Sequence, residues 1–137
     1  MSQTEDLARL LAERGHGSYV ADATGGSIFL GELPPEPAAA IVVTPYPGAA
    51  GSARIGYDRP RYQITVRDPD YRTAETTAKT IYGDLAGLGN RALGPAWLAL
   101  IAPIQSGPIW TRPEADGRTR FAINFELHLH QPTPNRA

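Results

Sequence analysis

The 137-residue chain contains no cysteine, which removes a disulfide framework, a thiolate metal site and a cysteine nucleophile together. Lysine is nearly missing too, since 12 of the 13 basic residues are Arg and the other is Lys79. Charge of one sign is also lacking. The 13 basic residues almost cancel 14 acidic ones, giving a net charge of -1 and a pI near 6.3, which argues against a dedicated nucleic-acid binder with a clustered basic face. The longest mostly apolar stretch, residues 96–104, falls far short of the roughly 20 needed to cross a bilayer. Residues 1–6 carry acid and no base, unlike a signal peptide. The expectation is a soluble protein, made and used without export and with no membrane partner.

A length of 137 residues fits one domain, taken as residues 1–137. Leu, Ile, Val and Phe are just numerous enough for a compact core at low net charge. With 14 Gly and 13 Pro, much of the chain must be turn and loop. Ser2 and Glu5 have the spacing of a capping box, and Leu7, Leu10 and Leu11 follow on one helical face. This first helix should stop at Arg14, before Gly15. Residues 27–30 and 39–44 are short apolar runs bounded by Gly or Pro and read as strands.

Residues 45–59 show no periodicity, an unusually long connection for a compact domain. Tyr62, Ile64 and Val66 then alternate with Gln63, Thr65 and Arg67, the period of a strand with one buried face, which Asp68-Pro69 ends. Residues 73–88 carry the clearest helical signal, because Ala74, Ala78, Ile81, Leu85 and Leu88 share a stripe that should lie on a sheet. Residues 97–102 and 109–112 read as strands, and residues 113–117 as a hairpin turn with Asp-Gly in it. The return strand, residues 118–130, alternates strictly from Phe121 to His130. At about 3.3 Å per residue it spans roughly 40 Å, longer than a small domain needs, which suggests pairing with something else. Residues 131–137 form a tail, and there is no internal repeat.

Candidate chemistry is sparse. His128 and His130 share one strand face, a spacing compatible with two zinc ligands, but no third ligand is indicated, and two histidines on a solvent face explain the pattern. Gly15-His16-Gly17 and Gly25-Gly26 lack the strand, helix and lysine of a phosphate loop and read as turns. Lys79 sits beside the apolar stripe of its helix, where snorkelling is expected. Asp58, Asp68 and Asp70 do not need a metal: Asp68-Pro69-Asp70 ends a strand and places negative charge at a helix N-terminus. Ser27, Ser52 and Ser106 lack a nucleophile-elbow context. No catalytic set, cofactor site or metal site is therefore assigned.

Tyr46, Arg54, Ile55 and Tyr57 in the long loop, with Trp110 and Arg112 beside the hairpin turn, are of the types enriched at protein interfaces. For a lone aromatic, core packing is the commoner role. The loop group has few large apolar anchors for a core of its own, so core and interface both stand open there.

The order and wording of these segments resemble the minor capsid protein family of long-tailed phages, whose members are tail-terminator-like. The resemblance is carried by residues 7–19 (LARLLAERGHGSY), Ile28-Phe29-Leu30-Gly31 with Leu33-Pro34, Tyr57-Asp58-Arg59-Pro60 leading into 62–66, the 74–88 helix, and 105–109 before 121–130, and it runs from about residue 5 to 131. It implies an α+β fold, a mixed or antiparallel sheet covered by two helices, with a C-terminal β-hairpin. It also implies a non-enzymatic virion protein, assembled in the host cytoplasm, that forms a ring, typically a homohexamer, on the last ring of the tail tube. Such a ring stops tube growth and offers a surface to the head connector or stopper protein, with transient, nonspecific DNA passage through it. This chain departs from the family at Asp68-Pro69-Asp70, where Gly is expected, which leaves the entry angle of the helix open.

Two other readings remain open on the sequence. A zinc enzyme would hold stoichiometric metal through His128 and His130. A small monomeric ligand- or protein-binding α+β module would offer a concave pocket at residues 45–59.

Overall fold

The computed structural model describes residues 2–21, 25–111, 113 and 117–137. In chain order the elements are α1 (Gln3–Glu13), β1 (Ile28–Leu30), β2 (Ala40–Tyr46), β3 (Tyr57–Asp58), β4 (Arg61–Asp68), α2 (Tyr71–Leu85), β5 (Arg91–Leu93), β6 (Ala96–Pro103), β7 (Ile109–Thr111) and β8 (Thr119–His130). The strands form one mixed sheet in the order β1-β2-β4-β8-β6-β5, with β3 and β7 also pairing to β8. Of these named pairs β1 and β2 run parallel and the others antiparallel. The fold is therefore α+β with a mixed sheet, two helices on one face and a β7–β8 hairpin.

α1 forms where its cap and periodicity place it, whereas α2 runs from Tyr71 to Leu85, two residues earlier at its start and three at its end than the expected 73–88, so Leu88 falls outside the helix. The Ser2 hydroxyl accepts from the Glu5 amide at 3.1 Å, and Asp70 caps α2 by accepting from the Thr73 amide at 3.0 Å. Asp68 in turn accepts from the Asp70 amide at 2.9 Å, so the Asp-Pro-Asp turn is internally bonded and sets the entry of α2. Leu7, Leu10 and Leu11 of α1 and Ala74, Ala78, Ile81 and Leu85 of α2 are all buried. They meet Tyr62, Ile64 and Val66 of β4 and the Phe121, Ile123, Phe125, Leu127 and Leu129 row of β8 in one core. The alternating rows of β4 and β8 are thus the inner face, as their period of two requires. Arg14 at the end of α1 grips Asp84 on α2 with two bonds of 2.7 and 2.5 Å, tying the helix ends together.

The length of β8 is used within the molecule. On one edge its residues Thr119–Glu126 pair with β4 and Leu129–His130 with β3; on the other, Arg120–Ala122 pair with β7 and Phe125–His130 with β6. Four strands share it, so the expectation that it outruns its own domain is corrected. The irregular connection is also shorter than the sequence suggests. β2 continues through Pro45 to Tyr46, past its last β1 partner, where the edge tolerates a proline, and Tyr57–Asp58 are recruited as β3 by β8, leaving residues 47–56 irregular.

The outer face has a second, small cluster of Phe29, Ala40 and Val42, with Leu33 against it. The proline-rich strap of residues 32–38 lies over this part of the sheet, held from below by Arg67. That side chain is 2% exposed and donates to the carbonyls of Pro34 at 2.7 Å, Pro37 at 2.6 Å and Ala38 at 3.2 Å. A buried guanidinium is tolerated here because its planar fork meets several carbonyl oxygens at once.

Candidate functional site

Large apolar side chains left exposed on a rigid sheet are the feature that needs explaining, and apart from Val20 and Leu30 beside β1 they gather in two places. The first is the outer face at the C-terminal end of β8. Tyr57 lies opposite His130, their rings stacked with centroids 4.8 Å apart, and Trp97 lies opposite His130 from the β6 side. Tyr57 and Trp97 are 58% and 46% exposed, with Ile55 and Leu100 exposed nearby in chain and register. On this face Glu126 accepts from Arg61 at 3.4 Å and meets His128 Nε2 at 3.0 Å. Tyr46 is paired with Arg61 across β2 and β4, half-buried, and burial pushes its phenol above the ordinary range.

The loop carrying Ile55 and Tyr57 is shaped by the chain beyond β8. Residues 131–137 turn back along it: the Gln131 amide donates to the Gly56 carbonyl at 2.6 Å and the Ala137 amide to the Arg54 carbonyl at 3.0 Å. Gly56 lies so close to Pro132 that a Cβ would sit 2.8 Å from the proline Cα. Arg136 binds both carboxylate oxygens of Asp58, at 2.8 and 2.7 Å, and Gln131 adds a bond of 2.7 Å to the same carboxylate. The Arg136 bond holds the Asp58 carboxyl well below its usual range, at about 2. The expected tail is therefore part of the site's scaffold.

The second place is the β7 edge. Trp110, 48% exposed, sits opposite Phe121, and Tyr71 at the start of α2 packs edge-on to both, with centroid distances of 6.1 and 5.4 Å. Ile109 and Ile104 are exposed beside it. Of the six residues selected from sequence, Tyr46, Arg54, Ile55 and Tyr57 belong to the neighbourhood of the first surface and Trp110 to the second; Arg112 lies outside the described residues. The structure does not bring the two groups together. Their partners His130 and Phe121 are nine residues apart on β8, roughly 30 Å.

Sequence reasoning missed Trp97 and Leu100, because residues 97–102 read as a uniformly apolar run. Ordinary alternation keeps Ala96 and Leu98 inside and Trp97 out, and a register shift between Leu98 and Leu100 then turns Leu100 out and leaves Ile101 inside. It also missed a groove at the opposite lateral edge, beside β1, of about 420 Å³. Its signal was the Leu33-Pro34-Pro35 wording, which forms one wall.

Among the described residues nothing resembles a reaction centre. No group of three His, Asp or Glu among them could hold a metal ion, and His130 is engaged with Tyr57. His16, in the first glycine turn, meets Asp84 Oδ2 at 2.6 Å, a carboxyl held at about 2 chiefly by its bond to Arg14. Lys79 is exposed and 3.8 Å from Glu75 on its own helix. Among the described residues no helix is long and apolar enough to cross a membrane.

Comparison with known proteins gives a family-model match over residues 10–131, described as bacteriophage tail terminator protein. Among solved structures the chain is similar to one from the virion of a native gene transfer agent particle, with a TM-score of 0.54 and 18% identity over 75% of this chain and 78% of that one. At that identity the likeness concerns the fold. No curated protein matches.

Proposed function

From the premise that this chain belongs to the bacteriophage tail terminator family, and so has a structural role in the tail of a phage-like virion, we propose that it closes the end of the tail tube as a ring of identical subunits. The observation that carries this is the separation of two exposed aromatic surfaces, around Tyr57 and Trp97 at one end of β8 and around Trp110 at the other. Two separated surfaces let a subunit hold the next copy through its Trp110 edge while the Tyr57 and Trp97 surface stays free for the tube, and head-to-tail contacts between copies make a ring when the rotation closes. Closure limits growth sideways, and six copies is the number the family resemblance implies.

Capping along the axis follows if one ring face matches the tube protein and the other does not. The surface of Ile55, Tyr57, Trp97 and Leu100 is our assignment for the tube, since Tyr57, Trp97 and Leu100 share one face at the His128–His130 end of β8 and Ile55 is exposed two residues before Tyr57. The opposite ring face is left for the head connector or stopper protein, and DNA passing through touches the lumen only transiently and without sequence preference. Assembly in the host cytoplasm and a final place at the head–tail junction complete the proposal. None of these roles asks for catalysis.

The test is the mass of the purified protein by light scattering, alone and with tail tubes, together with negative-stain images. A concentration-dependent oligomer and density at one tube end are expected. A protein that stays monomeric beside its tubes would overturn the proposal in favour of a small binding module.

A further inference from the structure

The groove beside β1 is lined by Tyr19, Val20, Phe29, Leu30, Leu33 and Pro34, with Glu32 at its rim. Val20 and Leu30 stay 38% and 37% exposed. A site for a small molecule combines apolar walls with a few convergent polar groups. Here the hydroxyl in the lining, on Tyr19, already donates to Glu5 at 2.6 Å. The lining thus suits an apolar protein side chain.

The sheet itself shows where such a side chain is available. Pairing runs in unbroken rows from β1 to β7: Phe29, Val42, Thr65, Ala122 and Ile109 form one, and Ile28, Ile41, Val66, Phe121 and Trp110 form the next. The groove and the exposed Ile109–Trp110 edge therefore stand level with one another on opposite sides of the sheet. They are four strand spacings apart, roughly 19 Å, too far to meet within one molecule. The layers correspond as well. Ile109 belongs to the outer face with Phe29 and Leu33, whereas Trp110 belongs to the helix face, where Tyr19 packs. β1 and β7 run in opposite directions, so copies placed side by side would meet in antiparallel fashion.

Opposite charges stand near the two surfaces. Glu32 at the groove and Arg72, next to the Tyr71 that packs on Trp110, are both exposed and in no ion pair within 4.0 Å among the described residues, with Asp70 the carboxylate that feels the Arg72 charge. Tyr57 and Trp97 offer no such correspondence, since they lie at the His130 end of β8, away from the β1 rows.

We propose that the Ile109–Trp110 edge of one copy seats in the β1 groove of the next, with Arg72 of the first beside Glu32 of the second. This deepens the ring reading and rests on it: it names the contact through which one subunit holds its neighbour. Trp110 is then the central anchor and the Glu32–Arg72 pair sets orientation.

The absence of native cysteine makes a direct test simple. Leu33→Cys and Ile109→Cys are made as separate single variants, mixed under conditions of assembly, and oxidised or bridged with a short bis-maleimide. A mixed cross-link between the two variants is expected, with none in either variant alone. In parallel, Glu32→Arg and Arg72→Glu should each weaken self-association by about tenfold, the two together should restore it, and Trp110→Ala should weaken it by at least about thirtyfold. If light scattering shows the oligomer but the mixed cross-link is missing and the double reversal rescues nothing, this contact is wrong while the ring stands. Cross-links within each single variant would mean a two-fold contact and would also overturn it. If no oligomer forms with or without tubes, the ring reading fails first and this contact with it.

Discussion

Arg136 and Asp58 face each other across the turn that follows β8, joined by two bonds of 2.8 and 2.7 Å. Because Asp58 is a β3 residue next to Tyr57, this pair fixes the loop that presents the exposed aromatic surface. Through Gln131, which bonds Asp58 and accepts from Gln3, and Gln3, which accepts from the Tyr62 hydroxyl, the clasp reaches α1 and the core.

Removing one partner of that clasp is expected to loosen the surface without unfolding the domain. Arg136→Ala should lower Tm by about 3 to 5 °C and weaken attachment to tail tubes, while an Arg136→Lys variant recovers only part, since an ammonium cannot grip both oxygens in the same plane. Calorimetry and tube pull-down read the two effects. Unchanged attachment alongside a lowered Tm would show that the loop plays no part in docking.

Acid should act on the same contact. Asp58 and Asp84 are each pulled from an ordinary 3.8 to about 2, first by their Arg136 and Arg14 bonds, so folding favours their charged forms. The stability they add is fully present above about pH 4 and is lost as pH falls through about 2. In the Arg136→Ala variant the loss of Tm over that interval should shrink, because the Asp58 contribution is already gone. Identical acid profiles for the two proteins would contradict the assignment.

Arg67 should be unforgiving. Its guanidinium satisfies three carbonyls of the 34–38 strap from beneath, and a lysine offers one point charge in place of a fork. Arg67→Lys is expected to cost about 2 kcal/mol by denaturant titration. It should also weaken self-association, because Pro34 and Pro35 wall the β1 groove. A full-strength assembly from the destabilised variant would uncouple strap and groove.

Two glycines should respond in opposite directions. Gly83 lies in α2 with open space where a Cβ would project, so Gly83→Ala should stabilise by about 0.5 to 1 kcal/mol. At Gly89 a Cβ would fall on the Ala99 carbonyl oxygen, and Gly89→Ala should be severely destabilised. Thermal melts of the two variants decide it.

Much of the architecture could be read in the order of residues where a face is wholly inside or wholly outside. The β4 and β8 alternations and the α2 stripe are such cases, and the inward rows match them. β3 and β5 could not be read, because Tyr-Asp and Arg-Ala-Leu carry no period; they are strands only because β8 and β6 supply partners. Leu88 follows the α2 stripe yet lies beyond the helix, which ends at Leu85 before Gly87 takes a φ of +85°. The surfaces were half legible. Tyr57 and Trp110 carry their residue type openly, but the outward turn of Leu100 depends on a bulge, and the groove takes its lining from two stretches, residues 19–21 and 28–35, that meet only in the fold.

β8 follows every strand it pairs with in the chain. During synthesis β4 and β6 therefore wait without their shared neighbour, and the earlier part of the polypeptide has no finished sheet on which to present either aromatic surface. On the proposed role, translation order acts as a safeguard: a half-made chain lacks the surfaces assigned to tail contacts, and only a completed copy carries them. Ribosome-held chains stopped before residue 119 emerges should be cut readily by protease, and those in which residue 130 has emerged should resist; equal resistance in both would remove the safeguard.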